Sequence, residues 1–453
     1  MQKIAPNSSS VIFQTSNIDN KVYVKEQKGF YQLIRRTLGW LLTVLFIALP
    51  FIQYKGQQAI LFDLEVQSLN LFSMVLYPQD MFIFVLILLF SAFALFFVSN
   101  KYGRIWCGYT CPQTIWSMMY LWVEHRVEGN RQQRIKLDKM PATLRKVAIK
   151  LLKHSIWFLI AVITATVFMS YFVPARDIYF DLVTFNISNL VFLWIVFFTL
   201  CTYINAGWIR EKMCEHMCPY SRFQSVMFSS STKVVEYDTT RGERRGPRKI
   251  TSKKPNNLGD CVDCNLCVQV CPVGIDIREG LQYECISCGL CIDACDQTMD
   301  KFSYPRGLIK YSASISIDNK QPIKYSYAFI LLTISALFIF WLSQRSQFEV
   351  SVVKDRNVLY REVDDRMIEN TFQIKIFNKS KTNAEFEIQL IGLDNFTIKG
   401  GKYVSVGAQE RTVAMVSVLS PKEYDKKFTS FEFNLEDLTD KNLITAKTTF
   451  HAP

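Results

Sequence analysis

Five long apolar runs constrain the fold of this 453-residue chain more than any other feature of its sequence. Polar sequence separates the runs, several of which are near the lower length limit for a span. A helix needs about 20 mostly apolar residues to cross a bilayer. The sequence therefore predicts a multi-pass membrane protein with an α-helical transmembrane bundle of about five spans. The runs cover residues 38–53, 81–99, 156–173, 190–206 and 325–342.

Lysine and arginine residues are unevenly distributed among the segments between these runs. The segments after the first and third runs carry one basic residue each, Lys55 and Arg176, whereas residues 100–153 contain eleven. The segment after the fourth run is basic again, most densely at residues 241–254. Basic loops stay on the cytoplasmic side of a membrane. Topology thus explains the formal net charge of +12, and no nucleic-acid partner is expected.

This alternation predicts an orientation in a bacterial inner (cytoplasmic) membrane. The N-terminal segment, residues 1–36, is polar and shows no signal peptide, so we expect it to stay in the cytoplasm. Spans one to four are expected within residues 37–207, followed by a cytoplasmic segment at 208–324. A fifth span at 325–342 then leads to a periplasmic domain at 343–453.

The C-terminal segment shows the period-two alternation that is typical of β-strands. Phe372, Ile374 and Ile376 alternate with polar residues, and the pattern recurs at residues 386–390 and 431–435. This stretch of about 110 residues contains no cysteine. It therefore predicts an all-β immunoglobulin-like sandwich without a disulfide, with another β topology as the alternative.

Eight of the 13 cysteines lie in two consecutive CxxCxxCxxxC runs. This is the spacing of bacterial two-cluster ferredoxins, in which the fourth cysteine of each run ligates the cluster held by the other run. It predicts two 4Fe-4S clusters in a cytoplasmic ferredoxin-like α+β domain at about residues 255–300. The predicted ligands are Cys261, Cys264, Cys267 and Cys295 for the first cluster, and Cys285, Cys288, Cys291 and Cys271 for the second. A pair of four-cysteine zinc sites is the alternative.

Four further cysteines form two CxxxCP motifs, Cys107 with Cys111 and Cys214 with Cys218, which follow the second and fourth apolar runs. Both motifs are therefore expected at the cytoplasmic face of the membrane. The two thiols of each motif are four residues apart, so one helical turn would put both on one side. Alternatively, the proline after the second cysteine begins a helix, and a thiol at a helix N-terminus has a lowered pKa. We therefore predict reactive or metal-binding thiols.

Met213, His216 and Met217 surround the second of these motifs. Thioether, imidazole and thiolate groups together favour soft or borderline metals such as copper(I). The three residues, with Cys214 and Cys218, are thus a candidate copper site. Packing of the two methionines against neighbouring helices is the alternative.

With these motifs the chain resembles the CcoG/FixG/RdxA family of cytochrome c oxidase accessory proteins, which are related to membrane polyferredoxins. The resemblance rests on WCGYTCPQT from Trp106, CEHMCPYSRFQ from Cys214, YPRGLI from Tyr304, the eight clustered cysteines and the outer β-domain. It implies a role in assembling a cbb3-type cytochrome c oxidase, in which the protein is an oxidoreductase that reduces copper(II) to copper(I). The four CxxxCP thiols would then be catalytic, with copper as the substrate.

The predicted mechanism begins with an unidentified cytoplasmic electron donor that reduces one cluster. The electron moves to the second cluster, and the CxxxCP thiols hold the copper(II) that receives it. The resemblance implies copper chaperones or other cbb3 oxidase assembly factors as partners, and a homodimer stays open. A quinol-linked electron conduit and an oxidase assembly scaffold are the rival functions.

Overall fold

The computed structural model divides the chain into two compact units, Met1–Phe338 and Ile339–Pro453. The described residues are 22–54, 57–64, 67–72, 74–228, 232–250, 257–313, 322–344, 346–354, 360–364, 367–380, 382–392, 396–421, 428–438 and 443–452.

Helices dominate the first unit. They are α1 (Phe30–Ala48), α2 (Met81–Tyr102), α3 (Ile105–Tyr109), α4 (Pro112–Val127), α5 (Arg131–Lys139), α6 (Leu144–Met169), α7 (Ala175–Thr184), α8 (Asn189–Ile204), α9 (Lys212–His216), α10 (Pro219–Val226), α11 (Thr239–Gly242), α12 (Leu266–Gln269), α13 (Leu290–Lys301) and α14 (Pro322–Gln344). A π-helical turn at Asn205–Ile209 continues α8.

Five helical segments in the described part of the chain are long and apolar enough to cross a membrane. They are Phe30–Phe51, Met81–Tyr102, Leu144–Met169, Asn189–Ile209 and Tyr325–Gln344. They agree with the predicted multi-pass membrane protein. The first and third helices begin eight and twelve residues before the predicted runs at 38 and 156, because polar residues such as Arg35 and Lys153 are buried inside the protein. The third ends at Met169, before Pro174, since the residue preceding a proline disfavours the helical conformation.

Short antiparallel strands also occur in the first unit. They are β1 (Gln53–Tyr54), β2 (Gln57–Gln58), β3 (Ile60–Asp63), β4 (Ser68–Leu71), β5 (Met74–Leu76), β6 (Val234–Tyr237) and β7 (Ile309–Ser312). Strand β1 pairs with β2, and β4 lies between β3 and β5. Strand β6 pairs with β7, which joins the two ends of the cysteine-rich segment.

The first apolar helix is attached to the cysteine-rich segment at its N-terminus. The Asp293 carboxylate, on α13, accepts hydrogen bonds from the backbone N–H groups of Tyr31 at 3.2 Å and Gln32 at 2.9 Å. These are among the first N–H groups of α1, which have no partner inside the helix. Asp293 therefore caps α1.

The second unit is a sandwich of two antiparallel sheets. Its strands are β8 (Phe348–Lys354), β9 (Arg361–Asp364), β10 (Met367–Asn378), β11 (Ala384–Ile391), β12 (Thr397–Gly400), β13 (Tyr403–Val406), β14 (Arg411–Pro421), β15 (Phe428–Asp437) and β16 (Leu443–His451). One sheet has the order β12-β14-β10-β8, with β9 beside β10, and the other β13-β11-β15-β16.

The core of the sandwich comes from the alternating residues that the sequence indicated. Phe372, Ile374 and Ile376 of β10 are fully buried, as are Phe386 of β11 and Phe433 of β15. They belong to one continuous apolar cluster. The predicted immunoglobulin-like sandwich is therefore confirmed.

Candidate functional site

The four cysteines predicted for the first cluster line one cavity. Cys261, Cys264, Cys267 and Cys295 surround it, together with apolar side chains such as Met299. Cys295 comes from the second cysteine run and the other three from the first. The structure thus places the fourth cysteine of one run beside the first three of the other.

A second cavity has the reciprocal composition. Cys271 of the first run joins Cys285, Cys288 and Cys291 of the second in its lining. Cys267 lines both cavities, so the two lie side by side. The structure therefore brings together each predicted set of four, in the crossed arrangement.

The two CxxCxxC loops share one backbone conformation. In the first loop, Asp263 and Asn265 have φ angles of 51° and 54°, and in the second loop Ser287 and Gly289 have 51° and 75°. These are the third and fifth positions of each loop. Asn, Asp and Gly adopt this left-handed region more readily than other residues. Each loop can therefore curl around its cavity before α12 or α13 begins.

Burial controls the charge of these thiols. It raises the pKa of Cys267 to about 12 and that of Cys285 to about 11, although a backbone hydrogen bond from Ser287 to Cys285 opposes the shift. Burial also raises the pKa of Cys271, against hydrogen bonds from the backbone of Ile275 and Val273. Buried thiolates need a cationic partner, which a bound metal centre supplies. The donor set fits iron–sulfur clusters.

The spacing of the cysteine sulfurs distinguishes an iron–sulfur cluster from a single metal ion. No three His, Cys, Asp or Glu side chains within the described ranges are close enough to hold one metal ion. A zinc ion with Zn–S bonds of about 2.3 Å needs its four sulfurs nearly in contact. In a 4Fe-4S cluster each thiolate binds a different iron, so the sulfurs stand further apart. The arrangement therefore favours clusters over the zinc alternative.

Arginines from the basic run at residues 241–254 support the first loop. The Arg248 Nη2 atom donates to the carbonyl oxygens of Gly259 at 2.6 Å and Cys261 at 3.1 Å. The Arg241 Nε atom donates to Asp260 Oδ2 at 2.5 Å. The sequence indicated only a charged cytoplasmic run, whereas these side chains hold the backbone next to a predicted ligand.

The structure also brings the two CxxxCP motifs together. Cys107, Cys111, Cys214 and Cys218, here called the thiol site, lie so close that all six pairs interact electrostatically. Cys111 and Cys218 are the N-cap residues of α4 and α10, and a proline occupies the first turn of each helix. The sequence did not show whether the two motifs meet.

The lowered pKa expected at the N-terminus of α4 is not found for Cys111. Burial raises the pKa of Cys107 and that of Cys214 to about 12. It also raises the pKa of Cys111, although the backbone N–H groups of Gln113 and Thr114 donate to its sulfur. Desolvation therefore outweighs the helix N-terminus.

Three hydrogen bonds fasten the two motifs to each other. Arg104, just before the first motif, donates from Nη2 to the Ser221 carbonyl oxygen at 2.8 Å. Gln113, just after it, donates from Nε2 to the Arg210 carbonyl oxygen at 3.1 Å. The Cys107 thiol donates to Gln224 Oε1 at 3.5 Å. The thiol site is therefore a fixed arrangement.

The first motif packs directly on the loop of the second cluster. A methyl group added at Gly108 would lie 2.7 Å from the Ile286 carbonyl oxygen and 3.1 Å from Cys288 Cα. Cys107 shares an apolar cluster with Ile286 and Cys288. Glycine at position 108 thus allows the thiol site to touch the second cavity's wall.

The remaining predicted copper ligands lie at the outside of the thiol site. The His216 side chain is 64% exposed and pairs with Glu215 at 3.7 Å, while Met217 is 63% exposed. Met213 is half-buried and accepts backbone hydrogen bonds from Met217 and Cys218. The structure does not gather these residues with two thiols around one ion.

Sequence reasoning missed Arg104, which it counted only among the basic residues of a loop. The side chain is 3% exposed, and its charge lowers the pKa values of Cys107 and Cys214 against the effect of burial. It acts in the same direction on Cys285 of the second cavity. Its position three residues before Cys107 was the only available signal.

Two adjoining four-cysteine cavities, in a unit with helices able to cross a membrane, define a membrane-bound iron–sulfur protein. Comparison with known proteins agrees. Residues 209–314 match the 4Fe-4S dicluster domain family, and residues 338–453 match the family described as the IG-like fold at the C-terminal of FixG, putative oxidoreductase.

Curated relatives resemble the chain over most of its length. The nitrogen fixation protein FixG of Rhizobium meliloti is 32% identical over 455 residues, which cover 88% of this chain and 86% of the relative. Protein RdxA of Cereibacter sphaeroides is 33% identical, with coverage of 79% and 80%, and its protein RdxB is 33% identical, with 90% and 91%. The chain belongs to the FixG/RdxA family and is a 4Fe-4S electron-transfer protein, so the predicted family is confirmed.

Among solved structures, a FixG-related protein from Vibrio parahaemolyticus aligns with 24% of this chain and 98% of its own, at 24% identity and a TM-score of 0.22.

Proposed function

We propose that the chain carries single electrons from a cytoplasmic donor, through the dicluster domain, to the thiol site, where copper(II) is reduced to copper(I). The copper(I) serves the assembly of a cbb3-type cytochrome c oxidase. The dicluster domain and the thiol site face the cytoplasm of a bacterial inner membrane, and the immunoglobulin-like unit lies in the periplasm. Copper chaperones or oxidase assembly factors are the partners that this function requires.

The proposal rests mainly on one contact between the thiol site and the second cavity. Gly108, between the two thiols of the first motif, touches Ile286, between two cysteines of the second cavity. Two 4Fe-4S clusters, when bound, supply one-electron transfer without transfer of a proton or a group. Through this backbone contact the thiol site adjoins the second cavity. An electron acceptor held there lies next to its source.

The side chains of the thiol site suit copper chemistry. Reduction of copper(II) to copper(I) takes one electron, and soft sulfur ligands stabilise the product. Met217 and His216 are exposed beside Cys218 and Cys214. They provide soft and borderline donors where copper can arrive from solution. The positive charge of the buried Arg104 stabilises negative charge on Cys107 in the thiol site.

The test is copper(II) reduction by the purified full chain in detergent. The chain is first reduced with dithionite and separated from the excess reductant by desalting, and a copper(I)-specific chelator is the readout. The double variant Cys214→Ser, Cys218→Ser should lose copper(II) reduction while the dicluster domain keeps its spectrum. Cys201→Ser is the matched control, because this cysteine lies in α8, outside the thiol site. Unchanged reduction by the double variant would refute the proposal.

A further inference from the structure

The thiol site has the same construction as the two cluster cavities. Each consists of four cysteines from two separate loops, and each places backbone N–H groups near sulfur. In the thiol site, Gln113 and Thr114 donate to Cys111, and in the second cavity Val273 and Ile275 donate to Cys271. This repetition indicates a related occupant.

The four thiols interact with one another but do not form a single-ion site in this arrangement. All six pairs interact electrostatically, yet no three of these side chains approach closely enough to hold one metal ion. The four cysteines of the second cavity show the same combination. Four thiolates that are close but not in contact are the ligand set of a 4Fe-4S cluster.

A buried positive charge faces the thiol site. Arg104 is 3% exposed, and its Nε atom has no hydrogen-bond partner although the site around it is closed to solvent. An unpaired buried guanidinium N–H is unfavourable unless a negative group accepts it. An iron–sulfur core with four thiolates is a net anion with sulfur acceptors. Arg104 therefore fits such a neighbour in charge and in hydrogen bonding.

We propose that Cys107, Cys111, Cys214 and Cys218 together ligate a third iron–sulfur cluster, of the 4Fe-4S type. Its role as a relay rests on the proposed function. One electron enters from the second cluster and one leaves to copper(II), which becomes copper(I); no bond breaks and no proton moves. Copper(II) then accepts the electron at the exposed edge formed by His216 and Met217, and the thiolates stay bound to iron.

Iron and acid-labile sulfide analysis of the anaerobically purified full chain tests the proposal. The wild type should contain about twelve irons and about twelve sulfides per chain, four for each cluster. The double variant Cys111→Ser, Cys218→Ser should contain about eight of each, and Cys201→Ser should match the wild type. About eight irons in both the wild type and the double variant, or zinc or copper at the thiol site, would overturn the proposal.

A second variant distinguishes loss of the third cluster from misfolding of the chain. Cys285→Ser, Cys288→Ser removes ligands of the second cavity and should also leave about eight irons, with the thiol-site signal retained in electron paramagnetic resonance of the reduced chain. Retention of the two dicluster signals in Cys111→Ser, Cys218→Ser, with loss of a third signal that Cys285→Ser, Cys288→Ser keeps, would locate the third cluster at the thiol site. A wild type with two cluster signals, both of which are retained in Cys111→Ser, Cys218→Ser, would refute it.

The outcome is independent of the copper experiment. A chain with about twelve irons that does not reduce copper(II) supports the third cluster and contradicts the proposed function. A chain with about eight irons that reduces copper(II) supports the proposed function and contradicts the third cluster.

Discussion

The guanidinium carbon of Arg104 lies 4.6 Å from the centre of the Tyr283 ring. Arg104 precedes the first CxxxCP motif, and Tyr283 precedes Cys285 in the second cavity. A cation above an aromatic ring is attracted by the electrons of the ring face. This pair therefore holds the thiol site and the dicluster domain together, in addition to the backbone contact at Gly108.

Replacement of this arginine should change the redox behaviour of the thiol site. In Arg104→Gln a positive charge next to four thiols is lost, so any centre that gains an electron there becomes harder to reduce. We expect a more negative midpoint potential in a spectroscopic redox titration. Arg104→Lys keeps the charge but loses the planar group that stacks on Tyr283, so its potential should lie nearer to the wild type. Equal potentials in all three proteins would contradict the role of Arg104.

The close approach at Gly108 should be sensitive to a single methyl group. In Gly108→Ala the new carbon would meet the Ile286 carbonyl oxygen at 2.7 Å, so the two loops must separate. We expect a loss of stability of about 1–3 kcal/mol and slower copper(II) reduction after rapid mixing of the pre-reduced chain, freed of excess reductant, with copper(II). Gly401→Ala is the control, because its nearest neighbour atom is 3.7 Å away. A wild-type rate in Gly108→Ala would show that electrons reach the thiol site by another route.

The stability of the iron-free chain should fall at high pH. Burial raises the pKa values of Cys107 and Cys214 to about 12 in the folded chain, from an ordinary value of 9.0. The folded state therefore favours the neutral thiols, and the stability that they contribute is full below pH 9 and is lost as the pH rises towards 12. The apo chain should show a falling Tm over this range.

The matched measurement uses Cys107→Ser, Cys214→Ser, which should flatten the pH dependence of Tm in the apo chain. The apo chain should also react slowly with iodoacetamide at pH 8, because few of these thiols are ionised. Rapid alkylation of Cys107 and Cys214 at that pH, detected by mass spectrometry, would be inconsistent with the raised pKa values.

A core substitution in the second unit separates a reductase from an assembly scaffold. Phe372 is fully buried in the sandwich, and Phe372→Ala should reduce the unfolding free energy of this unit by about 3–5 kcal/mol. Val413→Ala is the control, because Val413 is 48% exposed. We expect the cluster spectra and copper(II) reduction to persist in both variants. Loss of copper(II) reduction in Phe372→Ala alone would favour the scaffold.

The sequence predicted those features that depend on spacing along the chain. The repeated CxxCxxCxxxC pattern was sufficient to pair Cys271 with the second run and Cys295 with the first, and the structure brings these residues together. The alternation around Phe372 likewise predicted which face of β10 is buried. In both examples the local pattern has few structural solutions.

Features that depend on contacts between distant segments were not predictable. The two CxxxCP motifs are separated by about 100 residues, and no local pattern shows that they meet. The raised pKa of Cys111 follows from burial by neighbouring elements, whereas the sequence indicated only a helix N-terminus. Arg104 is indistinguishable in the sequence from a loop residue that marks membrane topology.

Asp293 lies between Cys291 and Cys295, which line different cavities, and its carboxylate caps the helix that begins at Phe30. The first N–H groups of that helix thus find their partner only when α13 is folded. Formation of α13 in turn brings two ligands of different clusters into place. Folding of this protein therefore couples two processes that are usually separate, the docking of its first apolar helix onto α13 and the binding of iron.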